Sequence, residues 1–240
     1  METQTTISDI LKETPVVKGR SKYLYDYDAN HYVAKLIPSL SSFTYNRHEM
    51  VDKTQNLRLD FYEMAVALLN KHNIPTAYVK RLDTDVYLTQ KCTSPPFEVI
   101  VKNYAVGSTQ RKYPGLFDDN YKFSNPIVKF DYRIDPEDLP ISADYLREYG
   151  EDPELLKSLA LKTNDILSEW LYPRVLVDFC LIFGTNKAGE VCITSEISPD
   201  CMRLKSEAGA SLDKDLFRSG KNHHEIVAVW TDLITDLKSK

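Results

Sequence analysis

Two basic residues that follow a glycine turn form the first candidate site. In KGRSKYLY, Lys18 to Tyr25, Gly19 allows a tight bend, and Arg20 and Lys22 follow it two positions apart. Alternate residues of a strand lie on the same face, so both cations would project from one side. Such a pair suits a polyphosphate, although a glycine turn with basic neighbours is also common in ordinary solvated hairpins.

A strand that ends in small and polar residues forms the second candidate. In EVIVKNYAVGSTQRK, Glu98 to Lys112, four side chains could converge on an anion, those of Lys102, Ser108, Arg111 and Lys112. Backbone N–H groups would contribute if a helix begins near Gly107. From spacing alone, a plain connection between a strand and a helix is favoured.

Acidic residues cluster in the third candidate, KFDYRIDP. Asp131 and Asp135 lie beside Lys129 and Arg133, and carboxylate oxygens of this kind suit magnesium next to phosphates. Aspartate before proline is equally common as a plain turn residue.

The fourth candidate lies in VLVDFCLIFGTNKAGEVCITSEISPDCMRL, Val175 to Leu204. Asp178 interrupts an otherwise apolar strand, and Asp200 and Arg203 come just past the end of the next one. A charge in a buried strand is costly unless it is paired, so Asp178 should face a cleft or a cation. A purely structural carboxylate explains the pattern equally well.

Hydrophobic periodicity predicts the elements that must position these residues. Apolar residues at helical spacing indicate helices over residues 47–72, 153–172 and 222–237. Short runs rich in Val, Ile, Tyr and Phe, bounded by turn residues, indicate strands over 15–18, 22–27, 32–36, 77–82, 86–92, 97–104, 175–184 and 190–196, the last two as a hairpin. Residues 111–140 read as a structured loop with one short strand over 127–132. This order predicts an α+β fold with two unequal lobes and a ligand cleft between them.

Composition excludes several classes of protein. The chain has 240 residues, of which 42% are apolar and 27% charged, as in ordinary globular proteins. A net charge of -5 argues against nucleic acid as a partner but is compatible with a local basic pocket for a small phosphorylated molecule. The four cysteines lack disulfide or zinc-site spacing, which favours reduced thiols in the cytoplasm. No run is apolar and long enough to span a bilayer, and no signal peptide is recognisable, so no membrane association is expected.

Six segments, taken in chain order, resemble the motifs of the SAICAR synthetase (phosphoribosylaminoimidazole-succinocarboxamide synthase) family. The match is collinear from about Lys18 to Trp230. The segments are GRSK, VKNYAVGS, KFDYRIDP, LVDFCLIFG, SPDCMR and DKDLFR. Each is short and of low specificity, but six in the right order and at comparable intervals are hard to produce by chance.

The resemblance implies both a fold and an activity. It implies a small lobe over residues 1–92, like the N-terminal lobe of protein kinases, above a larger α+β lobe over residues 93–240, with ATP between them. Enzymes of the family join the carboxylate of carboxyaminoimidazole ribonucleotide to the amine of aspartate, using ATP and Mg²⁺. Partners would therefore be small molecules, and the sequence leaves open whether the protein is a homo-oligomer.

The resemblance also implies a role for individual residues. Arg20, Lys22 and Lys91 would contact the nucleotide, and Lys102, Ser108 and Arg203 would hold the phosphate of the ribonucleotide. Lys102 stands where the family usually has arginine. Lysine keeps the positive charge but lacks the two parallel N–H donors of a guanidinium. The remaining assignments are Lys129, Asp178 and Asp200 as catalytic residues and Asp135 and Glu196 on the metal side.

The departures from the family pattern concern mainly the metal side. The family usually has glutamate at Ile182, aspartate at Ser195 and lysine at Cys180, and its glycine-rich substrate loop is replaced here by residues 37–46. Glu196 could reach the site only through a β-bulge, because neighbouring strand residues point to opposite faces.

Three hypotheses follow from this pattern. The first is an ATP-dependent ligase of the family. The second is a non-catalytic binder of nucleotides or phosphoribosyl compounds, and the third is a ligase or phosphotransferase with a different small-molecule substrate.

Overall fold

The computed structural model describes residues 6–42, 45–135 and 137–239. Its strands, in chain order, are β1 (Val17–Lys18), β2 (Lys22–Asp26), β3 (His31–Leu36), β4 (Ser39–Ser42), β5 (Arg47–Met50), β6 (Tyr78–Arg81), β7 (Val86–Gln90), β8 (Cys92–Thr93), β9 (Phe97–Tyr104), β10 (Lys122–Tyr132), β11 (Leu139–Ile141), β12 (Val175–Leu181), β13 (Phe183–Asn186), β14 (Val191–Ile193) and β15 (Met202–Lys205). Its helices are α1 (Ile7–Ile10), α2 (Thr54–Lys71), α3 (Ser108–Lys112), α4 (Ala143–Tyr149), α5 (Pro153–Leu171), α6 (Asp215–Arg218) and α7 (His223–Lys238).

The first sheet carries the basic pair of the N-terminal segment. Its antiparallel strands lie in the order β1-β2-β3-β7-β6. Val33, Ala34 and Leu36 of β3 are fully buried, which anchors the sheet in the core. Lys22 lies opposite Leu36 at the start of β2.

The second sheet brings together three charged residues that are far apart in sequence. Its strands lie in the order β11-β10-β9-β12-β15, so β12 lies between β9 and β15. Asp178 of β12 is the register partner of Lys102 on β9 and also of Arg203 on β15. Strand pairing alone therefore places a carboxylate between two cations.

The predicted hairpin over 175–184 and 190–196 is correct only at its tip. Ile182 separates β12 from β13, and only β13 pairs with β14, in a small sheet of order β14-β13-β8. The carbonyl oxygen of Ile182 accepts the N–H groups of both Thr194 and Ser195, at 2.8 and 3.3 Å. Two consecutive donors on one acceptor are the pattern of a β-bulge, which lets β12 continue into a different sheet.

Two other predicted elements need correction. The helix predicted over 47–72 begins only at Thr54, because Lys53 has a left-handed φ of 74° that helical geometry does not allow, and the preceding residues form β5. The short strand predicted over 127–132 is the end of β10, whose 11 residues pair along β9 and β11. The sequence analysis predicted too short a strand because residues 111–140 are rich in proline, which is typical of loops.

Residues 37–46, which the resemblance implies replace a substrate loop, contain β4 and lead directly into β5, with which β4 forms a hairpin. Phe43 and Thr44 of this segment lie outside the described residues. The hairpin is fixed to the C-terminal part of the chain. The guanidinium of Arg47 lies 4.1 Å from the ring centroid of Phe217, and the Nε2 of His223 lies 2.6 Å from the Oε2 of Glu49. Contacts with α6 and the start of α7 thus hold the hairpin in place.

Helices α2, α5 and α7 cover the sheets and complete one core. The rings of Phe61 on α2 and Trp170 on α5 meet edge to face at 5.0 Å, and the same core includes Val99 of the second sheet. The predicted α+β fold is confirmed. Because buried residues pack continuously across residue 92, the division into 1–92 and 93–240 stays a prediction. Within the described ranges, no helix is both long and apolar enough to cross a membrane.

Candidate active site

A buried cluster of three charged residues forms the centre of the site. The Nζ of Lys102 donates to the Oδ2 of Asp178 at 2.8 Å, and the Nη1 of Arg203 donates to both carboxylate oxygens at 3.1 and 2.8 Å. Lys102 also donates to the carbonyl of Val106, and Arg203 to the Oδ2 of Asp215 at 3.2 Å. The predicted partner of Asp178 is therefore a pair of cations.

Opposite charges keep this cluster ionised in spite of burial. Burial by itself would raise the pKa of Asp178, but Arg203 and Lys102 outweigh it and the pKa is lowered. Burial lowers the pKa of Lys102, and Asp178 offsets only part of that effect. Lys102 therefore depends on Asp178 for its charge.

A glycine turn packs directly on the guanidinium of Arg203. Gly107 has a φ of +59°, and a Cβ at this position would lie 2.7 Å from the Nη2 of Arg203. Ser108 follows as the first residue of α3. The fold thus brings Lys102 and Arg203 together on Asp178 and places Gly107, the residue before Ser108, against Arg203. The phosphate-binding role of Lys102, Ser108 and Arg203 stays a prediction.

Lys22 reaches across from the first sheet to the segment after β14. Its Nζ donates to the hydroxyl of Tyr87 at 3.2 Å and to the carbonyl of Thr194 at 3.3 Å. Next to Thr194, the hydroxyl of Ser195 accepts the N–H of Ile182 at 3.0 Å. Positions 182 and 195, where the resemblance implies carboxylates, are therefore adjacent to each other and to the predicted phosphate lysine.

The loop after β10 also contacts the first sheet. Arg20 forms an ion pair with Asp135, and both side chains are largely exposed. Lys129 forms an ion pair with Asp131, its neighbour on the same face of β10. The last residue of the KFDYRIDP motif, Pro136, lies outside the described residues.

Asp200 has a cationic partner that the sequence analysis did not assign. The Oδ1 of Asp200 lies 2.9 Å from the Nζ of Lys214, which belongs to the DKDLFR segment. Burial would raise the pKa of Asp200, but Lys214 and Arg58 lower it. The resemblance contained the signal for this pair, since both SPDCMR and DKDLFR are family motifs.

Lys91 is the predicted nucleotide contact with the least support from the geometry. It forms an ion pair with Asp26, and its Nζ lies 4.8 Å from the ring centroid of Tyr32. Both contacts hold the side chain against the first sheet. The role of Lys91 at the nucleotide stays a prediction.

Glu196 is bound to a cation instead of facing a metal position. Its two carboxylate oxygens accept from the Nε and Nη2 of Arg58 at 2.6 and 2.7 Å, and its Oε1 also accepts from the hydroxyl of Ser198 at 2.8 Å. The β-bulge exists, but it directs Glu196 into the interior. The sequence analysis missed Arg58, although a cation on the apolar face of a helix was a signal.

The protein side chains do not by themselves fit a magnesium ion. In residues 6–42, 45–135 and 137–239, no three His, Cys, Asp or Glu side chains meet as a metal-binding group. Asp135, Asp178, Asp200 and Glu196 are each paired with a basic side chain, and Ile182 offers no side-chain ligand. The nucleotide phosphates and water would have to supply most of the oxygen ligands of Mg²⁺.

Known proteins resemble this chain over almost its whole length. The SAICAR synthetase family model matches residues 15–232. The phosphoribosylaminoimidazole-succinocarboxamide synthase of Methanobrevibacter smithii is 33% identical over 237 residues, covering 94% of this chain and 97% of that protein. The enzyme of the same name from Methanocaldococcus jannaschii is 30% identical over 220 residues, covering 88% of this chain and 90% of that protein.

Solved structures agree with this assignment. A SAICAR synthetase of type 2 in complex with ADP superposes with a TM-score of 0.85 at 26% identity, covering 92% of this chain and 97% of that chain. The resemblance predicted from the six motifs is thereby confirmed. The chain belongs to the SAICAR synthetase family.

Proposed function

We propose that the protein is an ATP-dependent ligase that joins the carboxylate of carboxyaminoimidazole ribonucleotide to the amine of aspartate. Two curated relatives at 30% and 33% identity carry the name of this synthase, and a related solved structure contains ADP. The surroundings of Lys22 and the cluster of Lys102, Asp178 and Arg203 support the proposal. ATP supplies the phosphoryl group that activates the carboxylate, and the side chains of the chain bind and orient the reactants.

The observation that carries the proposal is the set of contacts made by the ammonium group of Lys22. Its ammonium donates to two neutral oxygens, of Tyr87 and Thr194, whereas Lys102, Lys129 and Arg203 each contact a carboxylate. A half-buried ammonium without a carboxylate partner among these contacts attracts a polyanion. Nucleotide phosphates between the first sheet and the β13–β14 hairpin would complete its surroundings.

The buried cluster suits the phosphate of the ribonucleotide. Asp178 holds the two cations of Lys102 and Arg203 in fixed positions, and Gly107, which directly precedes Ser108, packs on the guanidinium of Arg203. A rigid group of donors binds a phosphate without first having to become ordered. Asp178 then acts by positioning the cations, while Lys129 and Asp200 are proposed to contact the reacting groups.

The decisive experiment is a reconstituted reaction. Purified protein is incubated with ATP, magnesium, aspartate and carboxyaminoimidazole ribonucleotide, and ADP and the succinocarboxamide product are followed by mass spectrometry. We expect both products in equal amounts. Lys22→Met should weaken ATP binding at least about tenfold without affecting ribonucleotide binding, since one charge-assisted contact to phosphate is removed. Lys80→Met, an exposed lysine of the same sheet, is the matched control.

A non-catalytic binder is the second candidate, and one observation favours it. The adjacent positions 182 and 195 are isoleucine and serine, which leaves the metal side without the implied carboxylates. Tight ribonucleotide binding by calorimetry without any turnover would support this candidate and refute the ligase. ADP release that needs another acid or amine instead of the ribonucleotide would indicate a ligase or phosphotransferase with a different substrate.

We also propose a cytoplasmic location, in keeping with the free thiols of all four cysteines. Fractionation of cells that produce the protein tests this location. Self-association into a homo-oligomer is to be tested by light scattering on the purified protein.

A further inference from the structure

We propose that Arg58 and Glu196 form a positioning pair that sets the place of Lys22 relative to the β13–β14 hairpin, and that Glu196 therefore serves nucleotide binding without ligating a metal. The inference rests on the proposed nucleotide site at Lys22. It assigns a role to an arginine that no motif contains.

The first step is the geometry of the pair. Arg58 projects from α2 and is completely buried, and Glu196 is 7% exposed. The Nε and Nη2 of the guanidinium donate to the two oxygens of Glu196 at 2.6 and 2.7 Å, which is a two-pronged ion pair. Ser198 donates a further hydrogen bond to the Oε1 of Glu196 at 2.8 Å, so the carboxylate is fixed from both sides.

The second step is what the other donors of Arg58 hold. Its Nη1 donates to the carbonyl of Ile37 at 2.9 Å, and its Nη2 donates to the carbonyl of Ser21 at 3.2 Å. The same carbonyl of Ser21 also accepts the N–H of Ile37 at 3.0 Å. One guanidinium therefore connects the start of β2, the end of β3 and the segment that follows β14.

The third step links the pair to the predicted phosphate lysine. Ser21 directly precedes Lys22, and Glu196 comes two residues after Thr194, whose carbonyl accepts from the Nζ of Lys22 at 3.3 Å. Two bridges thus run side by side between the same two segments, one through Lys22 and one through Arg58. The buried bridge through Arg58 fixes the backbone from which the half-buried side chain of Lys22 extends.

The fourth step is why Glu196 does not suit a metal in this chain. To coordinate an ion, it would have to release Arg58, which would leave a guanidinium buried without a countercharge. Burial would lower the pKa of Arg58, but Glu196 outweighs this effect and raises it, so the guanidinium keeps its charge beside the carboxylate. The pair is already complete without any further ligand.

The test separates a positioning role from a purely structural one. Arg58→Lys keeps the charge but loses the fork, and a double variant, Arg58→Met with Glu196→Met, removes both charges so that neither is stranded in the core. We expect the double variant to fold with a Tm close to that of the wild type. Its Kd for ATP and its KM for ATP should still rise about tenfold to a hundredfold, because misplacement of a binding group weakens binding on this scale.

The ribonucleotide provides the internal reference. Its KM should change less than about twofold, since the cluster of Lys102, Asp178 and Arg203 does not depend on Arg58. Arg81→Lys is the matched control, because Arg81 also pairs with a residue of α2, Asp60, but this pair is only partly buried. This control should leave both substrate constants unchanged.

Two results would overturn the inference. Wild-type ATP binding in a stable double variant would show that the pair is only structural. A Glu196→Gln variant that binds ATP normally without metal but no longer responds to magnesium would restore Glu196 as a metal ligand. Calorimetry with ATP measures these effects even if the wild type shows no turnover, so a failure of the ligase proposal and a failure of this inference are distinguishable.

Discussion

Replacing Asp178 by asparagine should destabilise the protein by about 3 kcal/mol. The change keeps the shape of the side chain but removes the charge between Lys102 and Arg203. Breaking a buried ion pair by removing one partner costs about 3–5 kcal/mol, because the other charge is left uncompensated. Arg203 retains Asp215 at 3.2 Å, whereas Lys102, which is 3% exposed, retains only the carbonyl of Val106. Lys102 is therefore the cation that loses its countercharge, and the expected loss of stability lies at the lower end of the range of about 3–5 kcal/mol.

Urea unfolding at pH 7 and pH 9 measures the loss of free energy, and thermal unfolding measures the accompanying change in Tm. For a chain of 240 residues we expect a decrease in Tm of about 6–12 °C. Without Asp178, burial lowers the pKa of Lys102 further below its unfolded value of about 10.4, so the folded state binds fewer protons than the unfolded state. Because the pKa of Lys102 is already lowered in the wild type, the stability of the variant relative to the wild type should rise with pH only between the two folded-state pKa values, both of which lie below the unfolded value.

A second-site change and a surface control make the reasoning refutable. Asp178→Asn combined with Lys102→Met should recover most of the lost stability, because the stranded charge is removed. Asp144→Asn breaks an exposed ion pair with Arg147 and should cost less than about 0.5 kcal/mol. If Asp178→Asn unfolds within about 0.5 kcal/mol of the wild type at pH 7, buried charge pairing does not hold the second sheet together.

Three further changes test the site from other directions. Gly107→Ala should raise the KM for the ribonucleotide by about tenfold or more, since a Cβ would meet the guanidinium of Arg203 at 2.7 Å; an unchanged KM would contradict this contact. Burial and neighbouring carboxylates raise the pKa of Glu98 to about 7, so Glu98 should contribute a loss of up to about 3 kcal/mol of stability as pH rises from about 4.5 through 7. The pKa of Asp213 is raised to about 7 as well, so Glu98→Gln should reduce the total loss by the Glu98 share and leave the Asp213 share, as measured by urea titrations of both proteins; identical pH dependence would contradict this contribution. Ile182→Glu with Ser195→Asp adds two adjacent carboxylates and should make ATP binding depend more steeply on magnesium in calorimetry; identical magnesium titrations would count against a metal position here.

The centre of the site could be predicted from the sequence because the argument needs only one charged residue within one apolar strand. A charge within an apolar strand has to be paired, and this argument alone led from Asp178 to a cationic partner. The six motifs then supplied Lys102 and Arg203, which strand register brings to the same place. Helix α5 was equally accessible, since Asp152 accepts the N–H groups of its first turn and Pro153 begins it.

The rest depends on contacts that no periodicity reveals. Arg58 and Glu196 are 138 residues apart, and only the folded chain shows that they neutralise each other. The start of α2 was misplaced because the left-handed Lys53 carries no sequence signal comparable to glycine or asparagine. The sequence analysis predicted too long a hairpin over residues 175–196. A β-bulge at Ile182 ends the pairing there, and a bulge cannot be distinguished from a continuous strand in the sequence.

The attachment of the β4–β5 hairpin has a consequence for the order in which the molecule is assembled. Arg47 donates to the carbonyl of Phe217, 170 residues later in the chain, and Glu49 meets His223 174 residues later. A ribosome makes about 5–20 residues per second, so the hairpin exists for roughly ten seconds or more before its anchor is synthesised. During that interval neighbouring strands of the first sheet can pair, but the β4–β5 hairpin lacks its contacts with Phe217 and His223. The attachment of the β4–β5 hairpin is therefore completed near the end of translation, and chains interrupted before residue 217 cannot have it.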